Sequence, residues 1–164
     1  MISYRKIVEK IQKISQDSKI TPRKPKLGGL YTFMYNPKTK DKLPYYDIVP
    51  LAIPVSYTEN GFYGLNFHYL SLKERNKLLN IILPLSNENE VNTQKKKVSY
   101  SQLVSLANGI WSPCCKRYLW SHIRTKFVDI PQEDWYEVIK LPVISFQKSS
   151  TSNVYRDTSR LMKK

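Results

Sequence analysis

The side chains best suited to chemistry are few: His68, His122 and the adjacent pair Cys114 and Cys115. Two thiols close to His122 are raw material for a metal centre, but a structural zinc takes four ligands and His68 lies far away in sequence. Neighbouring cysteines are also poorly placed to bridge one another. They read as two reduced, buried thiols on a helix. A serine or cysteine nucleophile needs a histidine partner. His68 sits in a strand-like context and His122 in a helix-like one, and both read as structural. The glycines, at 28, 29, 61, 64 and 109, assemble neither a Walker loop nor a dinucleotide fingerprint. Asp41, Asp47 and Glu59 stand beside turns rather than in the spaced motif of a two-metal nuclease. The expectation is a non-enzyme with no metal, no cofactor and no small-molecule substrate.

What the chain concentrates is positive charge. Its 27 Lys and Arg against 13 Asp and Glu leave a formal charge of +14, which calls for a negative partner. Nucleic acid is the commonest partner of this kind, ahead of an anionic membrane surface or an acidic protein. The densest interleaving of basic and aromatic residues is Lys116-Arg-Tyr-Leu-Trp-Ser-His-Ile-Arg-Thr-Lys-Phe127. On a helix, Lys116, Trp120 and Arg124 recur at i, i+4 and i+8, with Arg117 and Lys126 nearby, and form a stripe able to track phosphates. Lys95, Lys96 and Lys97 add a second cationic cluster in a polar loop. Tyr31, Tyr45, Tyr46 and Tyr63 offer stacking surfaces for single strands.

These residues need a frame. At 164 residues, 41% hydrophobic and 12% aromatic, the chain is expected to fold around one core. Its longest apolar runs, around Ile48 to Val55 and Leu78 to Leu85, are broken by proline and fall short of the ~20 residues of a membrane span. The N-terminus lacks the pattern of a secretory signal, so a cytoplasm is expected. Three segments are distinguished: an amphipathic helical arm and linker at 1–27, a globular α+β domain at 28–146, and a basic tail at 147–164. In the arm, Ile7, Ile11 and Ile14 share a helical face, which either packs on its own domain or docks on a partner. The tail, with Arg156 and Arg160, has no apolar periodicity and reads as disorder or as an arm that orders on a partner.

Within the domain the first half reads as strands. Leu30 to Tyr35 is rich in β-formers, and Asn60-Gly61 between apolar runs is a strong hairpin signal. Prolines 44, 50 and 54 suggest a repeatedly bent edge strand. The result is a small bent antiparallel sheet of three or more strands, open or barrel-like. About four helices follow. Ser71-Leu-Lys-Glu74 is a capping box opening a helix that Pro84 stops, and Ser99-Tyr-Ser-Gln102 caps a short helix closed by Asn108-Gly109. Ser112-Pro113 starts a third helix through Tyr118, Leu119 and Ile123, and Pro131 starts a fourth with Trp135 and Ile139 inward.

The runs Tyr31-Thr-Phe-Met-Tyr-Asn-Pro-Lys38, Leu43-Pro-Tyr-Tyr-Asp-Ile-Val-Pro-Leu51 and Gly61-Phe-Tyr-Gly-Leu-Asn-Phe-His-Tyr-Leu70 resemble small basic proteins of large tailed bacteriophages, T4-like ones included. The 116–127 and 135–146 stretches resemble the same group, so the likeness covers roughly residues 28–160. It carries no catalytic residue. It implies a virion or DNA-handling role, in the particle or in the host cytoplasm before assembly. Two roles follow. One is a structural component of the tail, baseplate or neck, contacting other virion proteins and DNA. The other is a sequence-nonspecific nucleic-acid-binding accessory of replication or packaging.

Overall fold

The computed structural model describes residues 24–86 and 93–163 together with Glu9, with the backbone alone at 84–86 and 93–100. Ile7, Ile11 and Ile14, and the arm built on them, lie outside the described residues. From Lys24 onward the chain is fixed to the domain: the Tyr57 hydroxyl donates to the Pro25 carbonyl at 2.6 Å, and the Lys26 N–H donates to the Tyr31 hydroxyl at 3.0 Å.

Strands β1 (Leu30–Thr32), β3 (Leu51–Tyr57), β4 (Gly61–Asn66), β5 (Cys115–Leu119) and β6 (Val128–Ile130) form a five-stranded antiparallel sheet in the order β5-β4-β3-β1-β6. β2 (Tyr46–Asp47) and β7 (Phe146–Gln147) pair in a separate ribbon. Side chains alternate between faces along each strand, and both faces are covered. On one face Leu30, Ile53 and Leu65 meet Leu78, Leu79, Ile82, Trp111 and Trp135. On the other, Tyr31, Phe33, Ala52, Phe62 and Tyr118 form an aromatic layer roofed by Trp120 and Phe127. The expected α+β class is borne out, with an open sheet.

Asn60-Gly61 makes the β3–β4 hairpin, and its glycine has a second use. A Cβ at Gly61 would lie 1.8 Å from the Tyr118 carbonyl oxygen, so only glycine lets β5 close on this end of β4. The proline-rich segment departs from expectation, because β3 is central rather than an edge. Its pairing with β1 is confined to Leu51 and Ala52, so Pro54 needs no N–H on that side, and the β4 register shifts between Pro54 and Ser56.

Helix α1 (Leu72–Ser86) starts at the expected capping box: the Ser71 Oγ accepts from the Glu74 N–H at 3.3 Å, and the Glu74 Oε1 accepts from the Ser71 N–H at 3.2 Å. Pro84 does not stop it. Near the helix end a proline removes one hydrogen bond, and the run continues to Ser86. Helix α2 (Thr93–Asn108) begins before Ser99 and takes in Lys95, Lys96 and Lys97, which are therefore helical rather than in a loop. Lysine and glutamine are good helix formers and nothing between 93 and 108 breaks the run. Pro131 precedes a 3-10 turn and the short α3 (Trp135–Val138), with Trp135 and Ile139 inward as expected.

Two segments correct the sequence reading. Ser112-Pro113 opens one 3-10 turn only, after which 115–119 is strand β5, so the cysteines do not share a helix: Cys114 ends the turn, buried, and Cys115 begins the strand, half-buried. The 147–164 segment is no unstructured tail, because helix α4 (Thr151–Met162) packs on the core with Val154 and Thr158 buried. Its stripe of Val154, Thr158 and Met162 is at helical spacing but too narrow to stand out among polar residues. No helix among the described residues is long and apolar enough to cross a membrane.

Candidate nucleic-acid interface

Strand β5 pairs with β4 on one side and ends the sheet on the other. Beside it a cleft of about 450 Å3 opens against the 37–46 segment, lined by Lys38, Leu43, Tyr45, Tyr46, Lys116 and Arg117 among others. The segment is fixed at several points. The Tyr35 N–H donates to the Ile48 carbonyl at 2.9 Å, and the Tyr35 hydroxyl accepts from the Leu119 N–H at 3.0 Å. His122 holds the neighbouring residue, with its Nδ1 2.9 Å from the Asn36 carbonyl oxygen. Lys148 adopts a left-handed backbone, φ 72°, and its Nζ donates to the carbonyls of Lys40 at 2.6 Å and Leu43 at 3.2 Å. That conformation costs about 1 kcal/mol in a residue with a Cβ, and here it ties the lysine-rich turn to the β2–β7 ribbon.

The cations of the cleft are unmatched. Lys38, Lys116 and Arg117 form no ion pair with a described carboxylate, whereas Arg160 on α4 pairs with Asp157 at 3.4 Å. Lys116 is half-buried with its Nζ 4.1 Å from the Tyr69 ring centroid, and loss of hydration lowers its pKa. It meets no hydrogen-bond acceptor among the described residues. Arg75 shows the opposite treatment of a buried cation. Its guanidinium donates to the carbonyls of Leu70 at 2.8 Å and Ile139 at 2.6 Å and to the Tyr155 hydroxyl, so it holds α1, α3 and α4 together.

Asp47 borders the cleft from beneath, and its chemistry is closed. The carboxylate accepts from the Val49 N–H at 3.1 Å, the Asn66 amide at 2.9 Å and the Ser145 hydroxyl, and lies 2.8 Å from His68 Nδ1. Burial pushes its pKa up, but His68, Ser145 and Asn66 outweigh this and leave it below the ordinary value. Serine, histidine and aspartate therefore meet, yet not as a hydrolytic triad. Ser145 and His68 both bond to the acid, and the serine lies 3.4 Å from the same Nδ1 rather than on the far ring nitrogen, so nothing activates it. The cluster is a buried hydrogen-bond network that fixes Asp47 among His68, Ser145 and Asn66. Among the described residues no group of His, Cys, Asp and Glu could hold a metal. Burial pushes the Cys114 thiol up to about 12, so it is inert.

Comparison with known families supplies the identity. A family model described as the phage T4 terminal DNA protecting protein matches residues 3–159. The chain belongs to this family. Membership in the terminal DNA protecting family bears out the likeness to T4-like phage proteins and makes this a phage protein of a DNA-associated family. No curated protein and no solved structure matches the chain.

For this family member, the residues singled out by sequence fall in several places. Lys116 and Arg117 both line the cleft, but from an edge strand that gives way to a 3-10 turn at Trp120, so the helical stripe with Trp120 and Arg124 does not exist. Trp120 roofs the aromatic core, its ring 5.2 Å from Phe62. Arg124 is exposed, with its Nη1 on the Ser121 carbonyl at 2.9 Å, and Lys126 is half-buried; neither lines the cleft. The side chains of Lys95, Lys96 and Lys97 lie outside the described part. Arg156 and Arg160 are exposed on α4. Of the tyrosines, Tyr31 is in the core, Tyr45 and Tyr46 line the cleft, and Tyr63 is exposed on β4 directly opposite Arg117. Lys38 escapes sequence reading as a site residue, with the lysine-rich turn at 38–42 as the available signal, and no sequence signal marks Lys148 as the residue that holds that turn.

Proposed function

We propose that the protein binds the ends of phage DNA and shields them, through phosphate contacts made by the basic face beside β5. The observation that carries this reading is the set of unmatched cations, Lys38, Lys116 and Arg117, gathered at one aromatic-walled cleft in a chain of net charge +14. Unpaired cations at a surface attract a polyanion, and phosphate contacts of this kind are independent of sequence. The family description, which speaks of DNA and of protection, supports the same reading. The accessory role in nucleic-acid binding thereby takes precedence over the structural role in tail, baseplate or neck, for which the family description offers nothing. Binding occurs in the host cytoplasm or within the particle, wherever DNA ends are exposed.

A gel-shift titration and a nuclease assay test it. With about six phosphates engaged, affinity for unrelated duplexes falls about a thousandfold between 50 and 200 mM salt. Linear DNA carrying the protein should outlast free linear DNA under an exonuclease. Absence of retardation at low salt, or equal digestion of bound and free DNA, overturns the reading.

A further inference from the structure

Nonspecific duplex binding needs only an exposed basic face, whereas this cleft of about 450 Å3 has the size of a small-ligand site, roughly 300–1,000 Å3. A duplex does not enter such a space, but one unpaired nucleotide does. The walls divide as a nucleotide divides. Tyr45 and Tyr46 are half-buried in the lining beside Leu43 and Pro44, with the Tyr45 ring braced by Tyr69 at 6.2 Å and Phe146 at 6.3 Å, and a base of any identity stacks on rings of this kind. In the same lining Lys116, over the Tyr69 ring, is half-buried and lacks an acceptor among the described residues, while the more deeply buried Arg75 is supplied with carbonyls. A half-buried ammonium that meets no protein acceptor gains from an incoming phosphate.

Resting on the DNA-binding reading above, we propose that the cleft holds one unpaired nucleotide at the end of the DNA, its base against Tyr45 and Tyr46 and its phosphate on Lys116. A terminal unpaired base is already unstacked, whereas an internal one must first be extracted from the helix. The pocket thus gives the protein a physical means of distinguishing an end from the interior.

The test compares the full chain bound to one duplex in two forms at equal low salt: a relaxed closed circle, and the same DNA linearised with short single-stranded ends. The linear form is expected to bind about tenfold tighter per end, the scale of one stacked base. 2-Aminopurine placed in the overhang should change its fluorescence on binding, and the same probe within the duplex should not. Tyr46→Ala and Lys116→Gln, each checked by its melting curve, should bring the ratio of linear to circular affinity toward one. Equal binding of both forms by the unaltered protein, a silent overhang probe, or a ratio that survives both substitutions overturns the pocket while leaving duplex binding standing. Failure to bind either form overturns the DNA reading and the pocket with it.

Discussion

The ammonium of Lys116 lies 4.1 Å from the centre of the Tyr69 ring, and that ring is the nearest thing to a partner it has among the described residues. Stacking on the ring face contributes about 0.5–1 kcal/mol, which is set against the hydration that a half-buried ammonium gives up. Lys116→Met keeps the packing of the stem and removes the charge. Its unfolding free energy is expected to equal or exceed that of the unaltered protein by up to about 1 kcal/mol. A denaturant titration showing a loss of stability would mean the ammonium is satisfied in the fold.

Removing the exposed cations should act on DNA binding uniformly across sequences. Each cation that no longer meets a phosphate lowers the slope of log affinity against log salt by about 1, so Lys38→Gln with Arg117→Gln should lower it by about 2. Titrations at several salt concentrations read this directly, and an unchanged slope would place the DNA on another face.

Gly61→Ala tests whether β5 depends on a bare backbone at the hairpin. The added methyl would lie 1.8 Å from the Tyr118 carbonyl oxygen, which belongs to backbone and cannot swing away. A loss of about 3 kcal/mol is expected, together with loss of the cleft wall. An unfolding curve that overlays the original would show that β5 can shift freely.

Truncation after Ser150 removes α4 and with it buried Val154 and the Tyr155 hydroxyl that Arg75 uses. Stability should fall by about 3 kcal/mol or more. A melting temperature left intact would show that the helix is dispensable.

The acid and alkaline limits follow from the buried titrating groups. Asp47 is held below its ordinary value of 3.8, so the unfolded chain takes up that proton first. Its contribution is present above 3.8 and lost as pH falls below it. Burial raises the hydroxyls of Tyr35, Tyr69 and Tyr118 above 10.0, so here the unfolded chain loses protons first and stability declines as pH climbs past 10.0. Melting temperature against pH should show both shoulders, and Ser145→Ala, which removes one of the bonds that lower the Asp47 pKa, should make the acid one shallower.

Much of the fold was legible wherever the signal is local. The capping box at Ser71 and Glu74, the Asn60-Gly61 hairpin and the inward Trp135 each depend on residues a few positions apart, and each stands where it was expected. The surplus of positive charge is likewise a property of composition. Pro54 misled because its position in the sheet depends on how far β1 pairs along β3, which no neighbouring residue encodes.

By itself, then, the sequence determined the α+β class, several element ends and the surplus of positive charge. Only the tertiary structure decided that 115–119 is a strand, because the hydrogen bonds that β4 offers outweigh a weak local preference for helix. It alone also assembled the cleft, whose walls at Lys38, Tyr46 and Lys116 are brought together by strand pairing and by long-range hydrogen bonds such as that from Lys148 to the Lys40 carbonyl.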